Sequence, residues 1–315
     1  MKKILVVIPV NDRHKAFLEQ QAEGAGAEKA FEFIYKPAAE VTEEDLENVQ
    51  VIIGNLSPAM IRKAKNLEWF QTNSAGYDQY LQGVLPEGAA LTPAVGAYGL
   101  SVSEHMLAQT FALIRHLPMY RDAQLKNQWV RGTKVISVEG SVIAVLGTGD
   151  IGGDYARKVK ALGAYTIGVR KHDKEKPEYL DEQVLLPQLD EVLPRADIVA
   201  MVLPGSPETE GLMNEERLRK MKPGAYLLNV GRGSAVDLPA LKKVLDEGLL
   251  AGAALDVTNP EPLPEDDSLW NYENVFITPH VAGDFWLAET FERIVRIAGK
   301  NLRAFSRGEE LPSVL

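Results

Sequence analysis

Three polar residues in the last third of the chain carry side chains that can bind anions and move protons, and each follows an apolar run that predicts a β-strand. They are Arg232 after Tyr226–Val230, Glu261 shortly after Ala253–Val257, and His280 after Val275–Thr278. An arginine can fix a carboxylate and polarise an adjacent carbonyl, and a histidine can protonate an alkoxide as it forms. A carboxylate beside that histidine would orient its ring and favour its protonated form. These residue types therefore fit hydride transfer to the carbonyl of an oxo acid.

Each of these residues also has a simpler interpretation. A lone arginine between two glycines is usually a solvated loop charge, a glutamate in a proline-rich loop is usually exposed, and a single histidine is more often structural than catalytic. Their shared placement is more informative, because open parallel sheets bind ligands outside the carboxyl ends of their strands. Of the other histidines, we expect packing or interface roles for His105 and His116 and surface positions for His14 and His172.

A glycine-rich turn predicts a site for the phosphates of a dinucleotide. The apolar run Val142–Leu146 continues into Gly147-Thr148-Gly149-Asp150-Ile151-Gly152, and helical spacing follows until Gly163. In such a G-x-G-x-x-G motif the first glycine permits a tight turn and the second lets a pyrophosphate approach the backbone. The third lets helix and strand pack closely, and the helix N-terminus attracts the phosphates. The alternative is a glycine-rich strand-to-helix turn without a ligand.

The next predicted strand, Thr166–Val169, ends in Arg170-Lys171-His172. At this position a carboxylate would hold the ribose 2′-hydroxyl of NAD, whereas a guanidinium can accept the 2′-phosphate of NADP. We therefore expect Arg170 and Lys171 to bind the cofactor and NADP(H) to be preferred. NAD(H) remains possible, because Asp173 could reach a ribose.

Short apolar runs alternate with helix-period segments along the chain, which is typical of βαβ units and an α/β fold. The strands predicted in the first third are Ile4–Ile8, Phe31–Tyr35, Val51–Ile53 and Trp69–Thr72. The later ones, besides those named above, include Ile198–Leu203. A break near Pro93–Gly99 precedes a predicted helix over Leu100–Gln128, and an amphipathic helix with an apolar stripe from Leu287 to Phe305 ends at Gly308.

These patterns predict two Rossmann-like or flavodoxin-like parallel-sheet domains, joined by two crossings with an active-site cleft between them. Residues 1–98 plus 284–315 would form the substrate-binding domain. Residues 99–283 would form the NAD(P)-binding domain. The final helix would then pack on the N-terminal domain and bury its stripe there.

Composition excludes several classes of function. With 34 Lys and Arg against 44 Asp and Glu, the net charge of −10 argues against binding of nucleic acid or acidic membranes. Cys is absent, which excludes disulfides and thiolate metal sites, and we expect no metal. No apolar stretch approaches the roughly 18 residues of a membrane helix, and residues 1–10 fit a buried strand better than a signal peptide. A cytoplasmic protein is expected.

Four motifs in register resemble those of the D-isomer-specific 2-hydroxyacid dehydrogenases, and most closely the glyoxylate/hydroxypyruvate reductase branch. They are the glycine-rich turn, Leu228-Asn229-Val230-Gly231-Arg232-Gly233, Leu255-Asp256-Val257-Thr258-Asn259-Pro260-Glu261-Pro262-Leu263-Pro264, and Thr278-Pro279-His280-Val281-Ala282-Gly283. The resemblance covers essentially the whole chain. It implies a catalytic Arg232, a Glu261–His280 pair with His280 as acid and base, and an Asp256 that supports the site and binds the cofactor.

The resemblance also implies a carboxylate site and an oligomer. Backbone N–H groups of Asn73-Ser74-Ala75-Gly76 would bind the substrate carboxylate, with Ser74, Ala75 and Gly76 as the binding residues. A homodimer would form through the nucleotide domain, using the helix over Leu100–Gln128 and an arm that contains Trp129. In this sequence Arg170 stands where NAD-linked members have Asp, and Asp284 stands where a small residue is common.

The expected activity is NADP-preferring reduction of a small 2-oxo acid to its D-2-hydroxy acid, with His280 as general acid. One alternative is an NAD-dependent enzyme like phosphoglycerate dehydrogenase. Another is a non-catalytic protein that senses NAD(P), because corepressors share this fold and fold alone does not determine function.

Overall fold

A computed structural model describes residues 1–23, 31–81, 83–132 and 134–312 of the 315-residue chain. The chain forms two compact units, Met1–Tyr98 with Phe285–Leu315, and Gly99–Asp284. Asp284 thus belongs to the second unit, whereas the sequence assigned it to the first. Its backbone N–H bonds to the carbonyl of Val281 at 3.3 Å, which ties it to the turn that precedes it.

The described elements alternate between strands and helices. The strands are β1 Lys2–Val6, β2 Phe31–Tyr35, β3 Val51–Ile53, β4 Trp69–Gln71, β5 Ala90–Thr92, β6 Val142–Leu146, β7 Tyr165–Arg170, β8 Glu182–Leu185, β9 Ile198–Met201, β10 Tyr226–Asn229, β11 Gly252–Leu255 and β12 Val275–Ile277. The helices are α1 Asp12–Ala22, α2 Glu43–Leu46, α3 Pro58–Ile61, α4 Gly99–Ile114, α5 Leu117–Leu125, α6 Asp150–Ala161, α7 Leu189–Val192, α8 Glu215–Lys220, α9 Leu238–Asp246 and α10 Ala288–Ser306. The predicted α/β class with two parallel sheets is confirmed.

The first unit is built on a five-stranded parallel sheet in the order β2-β1-β3-β4-β5. The inner strands β3 and β4 are buried at every residue, as expected for a parallel sheet covered by helices. Helix α10 packs on this unit. A Cβ on Gly299 would lie 2.4 Å from the ring of Phe17 in α1, so the two helices approach closely. The buried amide of Asn301 donates to Gln71 Oε1 at 2.7 Å.

The second unit contains a seven-stranded parallel sheet in the order β12-β11-β10-β9-β6-β7-β8. Strands β9 to β12 pair in register, so that Asn229 lies opposite Leu255, and Leu255 lies opposite Ile277. The carboxyl ends of three neighbouring strands therefore lie side by side. This is the edge of the sheet at which the residues after β10, β11 and β12 leave the core.

The structure corrects several sequence-based assignments. β5 is too short to stand out, and β8 is a half-exposed edge strand whose polar residues hide its period. The predicted helix over Leu100–Gln128 is two helices, because His116 adopts a left-handed φ of 55° and Pro118 cannot continue a helix. His14 is buried rather than exposed, since it lies against the ring of Phe291 and 3.0 Å from Glu292.

Within the described part of the chain, every helix is too short or too polar to cross a lipid bilayer.

Candidate active site

The glycine-rich turn joins β6 to α6 at the carboxyl edge of the second sheet. Gly147 has a φ of 91°, which favours glycine, and its N–H bonds to the carbonyl of Val169 at 2.9 Å. A Cβ on Gly152 would lie 1.9 Å from the Gly147 carbonyl oxygen, so helix and turn are too close for a side chain there. A Cβ on Gly149 would meet no atom within 4 Å. The backbone at Gly149 therefore faces open space.

This turn fits the phosphates of a dinucleotide. Gly149 is the N-cap of α6 and provides no side-chain cap, so the first N–H groups of the helix can bind an anion, which the helix dipole attracts. Among the described residues the buried hydroxyl of Thr148 has no hydrogen-bond partner. Asp150 and Ile151 form the first turn of α6, and a Cβ on Gly99 would lie 2.7 Å from Asp150 Oδ1.

Arg170 is the last residue of β7, directly after the residue that bonds to Gly147. Its guanidinium donates to Gln183 Oε1 on the neighbouring strand β8 at 3.1 Å. Arg170 forms no ion pair with any other described residue. Its guanidinium is therefore fixed by a neutral partner, and its positive charge can attract a phosphate. The adjacent Lys171 pairs instead with Glu208 at 2.5 Å, and both of those side chains are exposed.

Arg232 lies on a tight turn after β10, and a buried asparagine shapes that turn. The Asn229 side chain accepts the N–H of Gly231 at 3.0 Å and donates to the carbonyl of Arg232 at 2.8 Å. A Cβ on Gly231 would lie 2.6 Å from the Leu203 carbonyl oxygen. A Cβ on Gly233 would lie 1.8 Å from a carbonyl oxygen of the segment after β11. Glycines on both sides thus let the half-buried Arg232 sit between the ends of two neighbouring strands.

His280 and Glu261 form a direct pair. His280 Nδ1 lies 2.5 Å from Glu261 Oε1, and the two side chains are 48% and 42% exposed. Because an ionised carboxylate only accepts hydrogen bonds, Nδ1 carries the hydrogen of this contact. Nε2 is then the ring nitrogen that can exchange a proton with a ligand.

The backbone of His280 is held in a left-handed conformation, with a φ of 52°. This conformation is unfavourable for a residue with a side chain and persists where surrounding contacts fix it. The buried Asp256 provides those contacts after β11. Its carbonyl accepts the His280 N–H at 2.8 Å, and its carboxylate accepts the N–H groups of Val281 at 3.0 Å and Ala282 at 3.1 Å. Asp256 is therefore a positioning residue for the turn that carries His280.

The loop after β4 in the first unit presents backbone N–H groups. Hydrogen bonds to its carbonyls hold this loop. The Asn73 carbonyl accepts from the Tyr98 hydroxyl, and the Ser74 carbonyl accepts from the Thr72 hydroxyl and the Ala94 N–H. The Gly76 carbonyl accepts from the Ser74 hydroxyl. Within the described chain, the N–H groups of Ser74, Ala75 and Gly76 donate to no protein acceptor. Consecutive N–H groups of this kind suit a carboxylate ligand.

Asn55 fixes the same loop from the end of β3. Its backbone N–H donates to Asn73 Oδ1 at 2.6 Å, and its side-chain oxygen accepts the Asn73 N–H at 3.0 Å. Its side-chain NH₂ group donates to the Ser74 hydroxyl at 3.0 Å.

The second unit thus brings Arg232, Asp256, Glu261 and His280 to one edge of its sheet, and the glycine-rich turn and Arg170 follow β6 and β7 at the same edge. Sequence reasoning missed the supporting residues Asn55 and Asn229. Asn229 had a detectable signal, because it is a polar residue at the end of an apolar strand, and the structure buries it fully.

Comparison with known proteins identifies relatives along most of the chain. The model of the D-isomer specific 2-hydroxyacid dehydrogenase NAD binding domain matches residues 107–282. A glyoxylate reductase of Thermofilum pendens is 32% identical over 294 residues, which covers 87% of this chain and 84% of the relative.

Solved structures agree with this likeness. A D-isomer specific 2-hydroxyacid dehydrogenase family protein from Aeromonas salmonicida has a TM-score of 0.85 and 29% identity, covering 100% of this chain and 98% of that one. An NADPH-dependent glyoxylate/hydroxypyruvate reductase from Sinorhizobium meliloti, solved with NADP and sulfate, has a TM-score of 0.81 and 26% identity, with the same coverage.

Two glycine variants test the dinucleotide turn. Gly149→Ala should keep the melting temperature of the wild type but raise the Kd for NADPH at least about tenfold, because its Cβ would fill the space that a phosphate needs. Gly152→Ala should lower the melting temperature, because its Cβ would overlap the Gly147 carbonyl. Thermal melts and fluorescence titration with NADPH measure both effects. Unchanged NADPH affinity in Gly149→Ala would contradict phosphate binding at this turn.

Proposed function

Because the chain belongs to the D-isomer-specific 2-hydroxyacid dehydrogenase family and is thus an NAD(P)-dependent oxidoreductase, we propose that it reduces small 2-oxo acids with NADPH. The product is the D-2-hydroxy acid, and His280 is the proton donor. The observation that carries the proposal is the Glu261–His280 pair, on the turn that Asp256 holds and at the same sheet edge as Arg232. Glyoxylate reduction is named for both reductases compared above, and hydroxypyruvate reduction for the one from Sinorhizobium meliloti.

Substrate binding is assigned to Arg232 and to the loop of Ser74, Ala75 and Gly76. The guanidinium would bind the carboxylate of the 2-oxo acid and polarise its carbonyl, because its planar fork matches both oxygens and stays charged. The N–H groups of the loop would donate hydrogen bonds to the substrate carboxylate.

Proton transfer is assigned to His280 Nε2. Glu261 holds the opposite nitrogen, which fixes the plane of the ring and leaves Nε2 directed away from the carboxylate. Nε2–H then donates to the carbonyl oxygen while that oxygen gains negative charge. When bound, the reduced nicotinamide would supply the hydride to the carbonyl carbon. The hydride and the proton together convert the oxo acid to the hydroxy acid.

Cofactor binding is assigned to the glycine-rich turn, to Arg170 and to Lys171. The N-terminus of α6 and the open backbone at Gly149 would receive the pyrophosphate. Arg170 would bind the 2′-phosphate of NADP through charge-assisted hydrogen bonds. Lys171 would bind the same phosphate once its ion pair with Glu208 has opened.

Replacing His280 tests the proton donor. His280→Ala should lower kcat for reduction by about 100-fold or more, the usual contribution of a general acid. Glu261→Gln should also lower kcat, because the His280 ring would lose the ionised partner that fixes its plane, whereas Glu265→Gln, an exposed carboxylate in the same loop, should not. Full activity of His280→Ala would remove the assignment.

A substrate and cofactor panel tests the activity itself. Oxidation of NADPH and NADH is followed with glyoxylate, hydroxypyruvate, pyruvate, bulkier 2-oxo acids and a phosphorylated oxo acid. NADPH with a small, unphosphorylated acid should react fastest. Arg170→Asp should reverse the cofactor preference and Arg170→Gln should weaken it, because a charge-assisted bond contributes about 1.5–3 kcal/mol.

Other outcomes of the panel point to the rival functions. A preference for NADH and the phosphorylated acid would favour an enzyme like phosphoglycerate dehydrogenase. No turnover with any substrate, together with capture of a specific protein partner, would favour a nucleotide-sensing protein.

The exposed apolar side chains around α5 support the proposal of a homodimer. Trp129 is 97% exposed and Leu125 is 65% exposed. Beside them a cavity of about 510 Å³ is lined by Tyr120, Ala123, Gln124 and residues 127–130. An apolar surface of this kind on a folded unit marks an association site. We assign its occupant as a second copy of the chain.

Replacing Trp129 tests this surface. Trp129→Ala should shift the protein from dimer to monomer at micromolar concentration, because buried aromatic residues dominate interface energies. Light scattering after size-exclusion chromatography measures the mass. Trp270→Ala removes another half-exposed indole of the same unit and should leave the dimer intact. A monomeric wild type would contradict the proposal.

A further inference from the structure

Beneath the turn that carries His280, three side chains converge on one hydroxyl group. Thr278 Oγ1 donates to Asp256 Oδ1 at 2.6 Å. Two side chains of α4 also reach Thr278 Oγ1. Gln109 Nε2 lies 3.2 Å from it and His105 Nε2 lies 3.1 Å from it. Thr278 thus links a helix to the carboxylate that holds the catalytic turn.

The hydrogen count of this node fixes the state of His105. A hydroxyl has one hydrogen to donate, and Thr278 gives it to the carboxylate of Asp256. Its oxygen must then accept from both partners on α4. Gln109 donates through its NH₂ group, so His105 must carry a hydrogen on Nε2. That nitrogen also lies 3.7 Å from Asp256 Oδ1, and the negative charge of this carboxylate favours a hydrogen on the nitrogen.

We propose that Thr278 is a positioning residue for the proton donor, and that His105, as the Nε2–H form, and Gln109 act through it. This inference rests on the proposed role of His280. The helix residues orient the Thr278 hydroxyl, and the hydroxyl orients the carboxylate of Asp256. The carboxylate then holds the N–H groups of Val281 and Ala282, and with them the left-handed backbone of His280.

The strain at His280 explains why such support is needed. A left-handed residue with a side chain returns to a more common conformation when the contacts that hold it weaken. A turn free to relax would move Nε2 away from the carbonyl oxygen, and a displacement of about 1 Å can cost about 100-fold in rate. The glycine-rich turn follows β6 and lies outside this network, so phosphate binding at that turn should not depend on it.

Substitution of Thr278 separates positioning from binding. Thr278→Val keeps the shape and removes the hydroxyl, so kcat should fall about ten- to 100-fold while the Kd for NADPH stays within about twofold. Thr278→Ser keeps the hydroxyl and should recover most of kcat. His105→Phe should resemble Thr278→Val in direction, whereas His105→Gln, which can still donate, should lose less.

Thr110→Val is the matched control. Its hydroxyl is buried on the same helix, but it bonds to the Met106 carbonyl and to Tyr155 at 2.8 Å each, outside this network. This variant should keep the kcat of the wild type.

Two further measurements do not depend on activity or cofactor. Hydrogen exchange at the amides of Val281 and Ala282 should be faster in Thr278→Val than in the wild type and unchanged in Thr110→Val. Nitrogen chemical shifts of the imidazoles should show His105 with hydrogen on Nε2, assigned by comparison with His105→Gln.

The outcomes separate the inference from the proposed function. If His280→Ala is inactive but Thr278→Val keeps both kcat and slow amide exchange, the positioning role is wrong and the proton donor stands. If His280→Ala is fully active, the proposed proton donor is wrong. Amide hydrogen exchange and the imidazole chemical shifts still test the network in that case. Wild-type exchange rates in Thr278→Val, or a His105 without hydrogen on Nε2, would overturn it.

Discussion

The candidate chemistry depends on one buried carboxylate. Asp256 is 2% exposed and bonds to the backbone of three consecutive residues, 280–282, as well as to Thr278. A buried charge is costly unless it is paired or fully hydrogen-bonded, and here the backbone N–H groups of a turn compensate it. The same bonds force that turn into a conformation that a histidine otherwise avoids. Stabilisation of the charge and placement of the imidazole are therefore a single structural requirement.

Close backbone packing is the second requirement, and glycines satisfy it at each turn. Gly152 and Gly233 lie where any Cβ would overlap a carbonyl oxygen, whereas Gly149 lies where a Cβ would meet nothing. Gly152 lets α6 pack against the turn before it, and Gly233 lets the chain after β10 approach the chain after β11. Gly149 instead leaves room for a ligand. Glycines that look alike in the sequence thus have opposite structural roles, and only their surroundings in the folded chain distinguish them.

The sequence predicted the elements whose signals are local. Apolar strands such as β6 and β10 were located within a residue, and the order of strand, glycine-rich turn and helix placed α6 correctly. It failed at β8, where an edge strand needs no apolar face, and at His116, where a left-handed residue divides a helical pattern. In the candidate site, the sequence indicated residues that lie in recognisable motifs, but not those that contact them across long sequence separations. His105 is separated from Thr278 by 173 positions, and no period or spacing encodes that contact.

The distribution of charge completes the physical description of the site. The chain has a net charge of −10, yet the groups assigned to anion binding, Arg170, Lys171 and Arg232, follow the carboxyl ends of strands in one parallel sheet. The N-terminus of α6 adds a partial positive charge at the same edge. An overall negative protein repels anionic substrates and cofactors in general, so their binding has to come from this local concentration of donors. That explains why Arg170 is held by the neutral amide of Gln183. A carboxylate partner in place of Gln183 would neutralise the charge that the ligand must meet.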